Sequence, residues 1–317
     1  MKIKLGLIGA GHWGENLVRN FVQLGVLDVV CDRNANTLKK IATRFPTVKL
    51  TSTFDDLLND PEISAIVIAT PSNTHEILAK RSLKAGKHVY VEKPLARSEQ
   101  GAIELTTLAN EVNLTLMVGH LLLYHPAVNK LKELIAGGKL GKVRFLNSDR
   151  RNFAYVRNDT NVVWDLAPHD ISMITYILGQ DRDPDLLQVQ GFSTESDGVT
   201  DVAHIDLQFS EGVHAHIHNS WIDPHRQALL TVNGSKKTAV LNDMLPERKL
   251  ELYSALPDGQ IMVEHPVYSS DEPLRLECQH FLECVVQPNK TPLSDGIAGY
   301  RVAKLLETAE KLMSKQV

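Results

Sequence analysis

Gly9, Gly11 and Gly14 follow an apolar run near the start of the chain and stand in GxGxxG spacing. That spacing suits a pyrophosphate. Gly9 allows a tight turn, Gly11 lets the anion approach the backbone, and Gly14 lets the next helix pack closely while its N-terminus offers oriented N–H groups. His12 and Trp13 complete the turn and count among the cofactor contacts. Asp32 lies about twenty residues after the turn, at the end of the next strand, where an acid accepts hydrogen bonds from the adenosine ribose. It favours NAD by repelling a 2′-phosphate, while Arg33 beside it could pair with that phosphate and leaves NADP open. A glycine turn in an α/β fold without a cofactor is the plain alternative.

Three further groups have side chains fit for chemistry. Ala69-Thr70-Pro71-Ser72-Asn73-Thr74-His75 follows the most apolar run, where strand ends form a ligand crevice. Thr70, Pro71, Asn73 and His75 are therefore candidate cofactor contacts, although Ser72 or Thr74 could equally cap a helix. Glu92-Lys93-Pro94 ends another apolar run, and Glu92 and Lys93 are also candidate cofactor contacts. An ammonium near a nicotinamide would have its pKa lowered toward the range useful in proton transfer. Lys93 paired with Glu92 at the surface is the competing reading, and the sequence leaves both open. In Trp164-Asp165-Leu-Ala-Pro-His169-Asp170, Asp165 and His169 are four apart and share a helical face. A carboxylate-oriented imidazole is an acid/base device, and a capped helix with a satisfied histidine is its alternative. The alternating His214, His216 and His218 project from one sheet face, converge poorly on one ion, and lead us to expect no metal.

The elements that must position these groups can be read from periodicity. To Val118, apolar strand runs alternate with helical spacings: Ile3 to Ile8, Leu27 to Cys31, Val48 to Leu50, Ile63 to Ala69, His88 to Val91 and Leu114 to Val118 as strands. Helices are expected over Trp13 to Leu24, Ala35 to Arg44, Asp55 to Leu58, Thr74 to Ala85 and Ser98 to Val112, with Ser98 as an N-cap and Gly86 closing the fourth. Such alternation implies a doubly wound parallel sheet. Beyond it come a helix from Pro126 to Ala136, a strand run from Lys142 to Asn147 and a helix from Asp165 to Leu178. Strand runs then succeed one another from Leu187 to Val263, with hairpin signals at Glu211-Gly212 and Asn233-Gly234, and two helices close the chain. The expected architecture is α/β: a dinucleotide-binding domain over residues 1–120 and, over 121–317, an α/β substrate and oligomerisation domain on an open mixed or antiparallel sheet.

With 317 residues, 43% hydrophobic, 23% charged and a net charge of −4, the chain has no basic field for nucleic acid and no run long enough to span a bilayer. Its three cysteines form no CxxC pair, and no signal-peptide core opens the chain, so a reducing, cytoplasmic setting is expected.

Taken in order, GxGxxG, Ala-Thr-Pro-x-x-x-His, Glu-Lys-Pro and Asp-x-x-x-His resemble the motifs of the Gfo/Idh/MocA oxidoreductases, over nearly the whole chain. The resemblance implies hydride transfer between a nicotinamide and a sugar hydroxyl or ketone. It makes Lys93 the catalytic lysine, His169 the histidine that exchanges a proton with the substrate hydroxyl, and Asp165 its acidic support. It also implies a cis bond before Pro94 and a homodimer or homotetramer built on the second sheet. His120, Tyr124, Arg150 and Trp164 are the remaining candidates for the substrate pocket. Gly-His-Trp-Gly, Gly-His-Leu-Leu-Leu-Tyr-His-Pro and Trp-Asp-Leu-Ala-Pro-His-Asp are similar to a branch that modifies nucleotide-sugars for surface polysaccharides. The chain lacks the Arg that many relatives carry near His120, and Asn161-Val-Val-Trp164 replaces their Gly-rich lead, which argues against a simple sugar or inositol. An NAD-binding sensor without turnover, or a dehydrogenase of free sugars or cyclitols, is the alternative function.

Overall fold

Strand–helix alternation in the first part of the chain produces a six-stranded parallel sheet. Its strands and helices are β1 (Leu5–Ile8), α1 (Gly14–Gln23), β2 (Leu27–Cys31), α2 (Ala35–Arg44), β3 (Lys49–Thr51), α3 (Phe54–Asn59), β4 (Ala65–Ile68), α4 (His75–Lys84), β5 (His88–Glu92), α5 (Glu99–Glu111) and β6 (Leu116–Gly119). A computed structural model of the chain describes residues 3–153, 160–179, 183–194 and 198–314. They form two compact units, Met1–Leu121 with Glu272–Lys304, and Leu122–Asp271 with Leu305–Val317.

In the first unit the strand order is β3-β2-β1-β4-β5-β6, and every pairing is parallel. β4 is buried along its whole length, as its apolar, β-branched sequence requires of a central strand. The order reverses between β1 and β4, and the loops leaving their carboxyl ends flank the point where α/β sheets bind ligands. Local signals set the helix starts. Ser98 caps α5 by accepting from the Gly101 N–H at 3.0 Å, and Asn34 caps α2 by accepting from Asn36 and Thr37.

The second unit holds α6 (Pro126–Ala136), β7 (Val143–Phe153), α7 (Val162–Leu178), β8 (Leu186–Phe192), β9 (Val202–Phe209), β10 (Val213–Ser220), β11 (Ile222–Gly234), β12 (Thr238–Asn242), β13 (Leu250–Ala255) and β14 (Ile261–Glu264). Its eight strands run β14-β13-β12-β11-β7-β10-β9-β8, antiparallel except for β7 beside β10. Ala203, Ile205, Leu207 and Phe209 are buried on one face of β9. His204 on the other face stacks on His218 and His216, with ring centroids 4.5 and 5.5 Å away. The chain continues into α8 (Pro273–Val286), within the first unit, and α9 (Gly296–Met313).

Three differences from the sequence reading have physical causes. α7 starts at Val162 rather than Asp165, because the Asn161 side chain accepts from the Trp164 N–H at 3.1 Å and begins the helix upstream. β11 starts at Ile222 rather than Ala228. The register breaks between Ile222 and Gln227, around Pro224, which cannot donate to a ladder. Gly234 does end a strand before a hairpin, but what it answers is close packing: a Cβ there would collide with the Leu140 carbonyl.

Candidate active site

The glycine turn works as its spacing suggests, each glycine for its own reason. Gly9 has φ +90°, and a Cβ on it would lie 2.6 Å from the Ala69 carbonyl oxygen. A Cβ on Gly14 would collide with the Gly9 carbonyl, whereas a Cβ on Gly11 would meet nothing within 4 Å. The space over Gly11 is open, which is what a phosphate approaching the backbone needs. Asp32 Oδ2 accepts from the Ala10 N–H at 2.8 Å, tying the end of β2 to the turn, and Oδ1 accepts from the Asn34 N–H at 2.8 Å. Each oxygen keeps a second lone pair for a ribose hydroxyl. Arg33, next to it, is exposed. The turn and Asp32 therefore fit a dinucleotide.

Around this turn the other predicted contacts sort into loop surface and loop support. Pro71 and Asn73 are exposed, and Thr70 hydroxyl-bonds Thr74 at 2.7 Å. His75 departs from its expected role. It is 1% exposed, and its ring nitrogens each lie 2.8 Å from a backbone carbonyl, of Pro94 and of Thr70. Burial lowers its pKa against the pull of those carbonyls, so the imidazole braces the loop after β4 against the loop after β5. Glu92, the other candidate cofactor contact at a strand end, closes β5. It is buried, and its Oε1 accepts from Trp13 Nε1 at 2.6 Å and from the Tyr90 hydroxyl at 3.2 Å. Burial pushes its carboxyl up to about 7, opposed by the Trp13 hydrogen bond and the charge of Lys93. Trp13, 40% exposed, thus fastens the glycine turn to the end of β5, with His12 exposed beside it.

Lys93 follows β5, and the Lys93–Pro94 peptide is cis. Glu92 pairs in register with Gly119, which sets Lys93 and His120 side by side as β5 and β6 end. His120 is 1% exposed, and neither ring nitrogen has a hydrogen-bond partner among the described residues. Burial, and then the Lys93 charge, push its pKa down to about 3, so it is a neutral imidazole.

In the second unit, α7 carries Asp165 in its first turn and His169 one turn later, on the same face. Trp221, at the end of β10, donates from Nε1 to Asp165 Oδ2 at 3.0 Å and fixes that carboxylate. The next residue after His169 anchors the helix: Asp170, 0% exposed, accepts from Ser148 (2.9 Å), Arg150 Nε (2.9 Å) and Asn219 (2.9 Å). Arg150, expected in the substrate pocket, helps hold α7 on β7 through its Nε. Trp164 and Tyr124 are buried, and the Trp164 indole N–H has no hydrogen-bond acceptor among the described residues. The sequence reading quoted Asp170 but gave it no role, and it passed over Trp221. Neither carries a spacing signal, because the partners of each lie far away in sequence.

Comparison with known proteins decides the family. Residues 3–120 match the model of an oxidoreductase family with an NAD-binding Rossmann fold, and residues 128–240 match the GFO/IDH/MocA C-terminal domain. An uncharacterized oxidoreductase of Escherichia coli K12, YdgJ, is 30% identical over 80% of this chain and 76% of its own. The chain belongs to the Gfo/Idh/MocA oxidoreductase family. UDP-N-acetylglucosamine 3-dehydrogenase of Acidithiobacillus ferrooxidans is 32% identical over 56% of this chain and 55% of its own. A solved structure of that enzyme superposes with a TM-score of 0.86 at 25% identity, covering 99% of this chain and 97% of the other. Among the described residues no helix is long and apolar enough to cross a membrane.

Proposed function

We propose that this oxidoreductase moves a hydride between a nicotinamide and a ring carbon of a nucleotide-sugar, interconverting a secondary hydroxyl and a ketone. The observation that carries the reading is that Lys93, Asp165 and His169 stand on the described elements of a Gfo/Idh/MocA chain whose glycine turn is open over Gly11. The nucleotide-sugar rests on the similarity to UDP-N-acetylglucosamine 3-dehydrogenase.

When bound, the nicotinamide supplies the hydride acceptor or donor, and the residues of this chain supply aim and proton transfer. Gly11 and the amino end of α1 hold the pyrophosphate, and Asp32 holds the adenosine ribose, favouring NAD. His169 takes the proton from the sugar hydroxyl as the C–H bond breaks and returns it in the reverse direction. Asp165, held by Trp221, orients the imidazole and stabilises it when protonated. The Lys93 ammonium serves as a hydrogen-bond donor that stabilises negative charge developing in the reaction. Self-association through the outward face of the second sheet belongs to the same proposal. It is supported by exposed Phe145, Phe153 and Phe192 on that face and is readable by sedimentation.

The test is turnover with NAD and NADP over a panel of UDP-sugars, free sugars and cyclitols, followed at the nicotinamide absorbance. Activity should be confined to the nucleotide-sugars and prefer NAD. Lys93→Met should lower kcat by about two to four orders of magnitude while NAD still binds. Turnover of free sugars or cyclitols in place of nucleotide-sugars would overturn the substrate class.

A further inference from the structure

Behind the glycine turn lies a buried polar group that the reaction does not use. Glu277, on α8, is 0% exposed, and neither of its oxygens has a well-formed hydrogen bond among the described residues. It faces Tyr90 and Glu92 of β5. The Tyr90 ring is itself fully buried, with Phe281 and Phe21 packed edge-on at 5.7 and 6.4 Å. Gly119 of β6 leaves the room: a Cβ there would lie 2.8 Å from both Glu92 Oε2 and the Tyr90 hydroxyl. The charged groups packed around the cluster are engaged elsewhere. On α1, Arg19 is paired with Glu272, the residue just before α8, and Asn20 also faces Glu272. Lys93 acts on Glu92, and Cys278 is the neutral neighbour on α8.

A count of donors then decides the protonation. A phenol has one hydrogen to give and an ionised carboxylate has none. Tyr90 gives its hydrogen to Glu92 Oε1, which also takes the Trp13 N–H. A charged Glu277 would therefore be a buried anion with neither a donor nor a cation, a far costlier arrangement than a buried acid. We infer that Glu277 is held as a neutral carboxylic acid that donates its proton to the Tyr90 hydroxyl, completing a chain from Glu277 through Tyr90 and Glu92 to the Trp13 indole that positions the glycine turn for its cofactor. Burial and the Glu92 charge both act in that direction, raising the Glu277 carboxyl well above 4.5. Glu277 is thus a positioning residue, and its effect on the cofactor rests on the NAD reading above.

The sign of the pH effect follows. Unfolded, the Glu277 carboxyl loses its proton near 4.5; folded, it keeps it to a higher pH. The folded state then binds more protons, so stability falls as pH rises above 4.5 toward the folded value. Glu277→Gln keeps a neutral donor and removes the titration.

The experiment combines infrared spectroscopy, unfolding and binding on the full chain. At pH 8.5, where Glu92 has lost its proton, the wild type should show the C=O stretch of a protonated carboxyl, and E277Q should lack it. Over the range where Glu277 stays protonated only in the folded state, the wild-type unfolding constant should rise relative to that of E277Q by about tenfold per pH unit. Calorimetry with NAD+ should find Kd raised about tenfold in Glu277→Leu and in Tyr90→Phe, and restored in E277Q. No protonated-carboxyl band in the wild type, or the same band in E277Q, overturns the proton assignment, as do parallel unfolding curves. Unchanged NAD+ affinity in both E277L and Y90F overturns the positioning role. If the wild type bound no NAD+, the cofactor reading and the positioning role would fail together, while the spectra and unfolding curves would still decide where the proton sits.

Discussion

The side chains most suited to proton transfer are held by neighbours that have no chemistry of their own. Asp165 is fixed by Trp221, and the helix that carries His169 is pinned by Asp170, whose two oxygens take hydrogen bonds from Ser148, Arg150 and Asn219. Removing the carboxylate leaves a half-buried guanidinium unpaired and three donors unmet. Asp170→Ala should therefore lower stability by about 3–5 kcal/mol, read by urea denaturation. Asp170→Asn, which keeps an acceptor, should lose less. Lys93, Asp165 and His169 were legible as candidates from type and spacing. His75, Glu92 and Arg150 were legible as polar residues beside the site, but the bonds by which they brace the fold were not. Whether such a side chain faces a ligand or a neighbouring loop is settled by what packs beneath it: Pro94 for His75, Trp13 for Glu92 and Asp170 for Arg150.

At the scale of elements, the strand–turn–helix around Gly9 to Gly14 separates binding from folding within six positions. Gly11 has free space above it, whereas Gly14 abuts the Gly9 carbonyl. Gly11→Ala should accordingly keep its melting temperature within a degree or two, yet lose about tenfold or more in NAD affinity, because the methyl occupies the space the pyrophosphate needs. Gly14→Ala should be destabilised whether or not cofactor is present. Thermal unfolding and calorimetry on the two variants check both halves. The parallel sheet was legible because its central strands are apolar runs set between helical spacings. The second sheet was legible strand by strand, but not in its lengths. β7 runs on from Asn147 to Phe153 through Ser148, Asp149, Arg150 and Arg151, polar residues no hydrophobic pattern would assign to a strand. They extend it because they pair with β10 and β11 and serve Asp170.

For the molecule as a whole, buried titratable groups narrow the pH range of stability from both sides. His120 is neutral when folded, its pKa down to about 3 against 6.5, and burial lowers His75 in the same direction. For both, the unfolded chain binds more protons below 6.5, so the stability they contribute is present above that value and is lost as pH falls through it. His120 alone should withdraw about 1.4 kcal/mol per pH unit in that range. Glu277 acts oppositely on the alkaline side. Wild-type stability should thus peak near neutrality, and His120→Asn should make the acid limb shallower in denaturant titrations from pH 7 to 4. The return of residues 272–304 to the first unit, which delivers Glu277 to Tyr90, has no signature in periodicity, since the apolar spacing of α8 reads alike wherever it packs. Transfer of a labelled hydrogen tests the central claim most directly. With NAD+ and a nucleotide-sugar deuterated at the reacting carbon, the wild type should move deuterium onto C4 of the nicotinamide, and Lys93→Met should do so at least about a hundredfold more slowly. Absence of label on the nicotinamide across singly deuterated nucleotide-sugars, or equal transfer by Lys93→Met, would contradict the account.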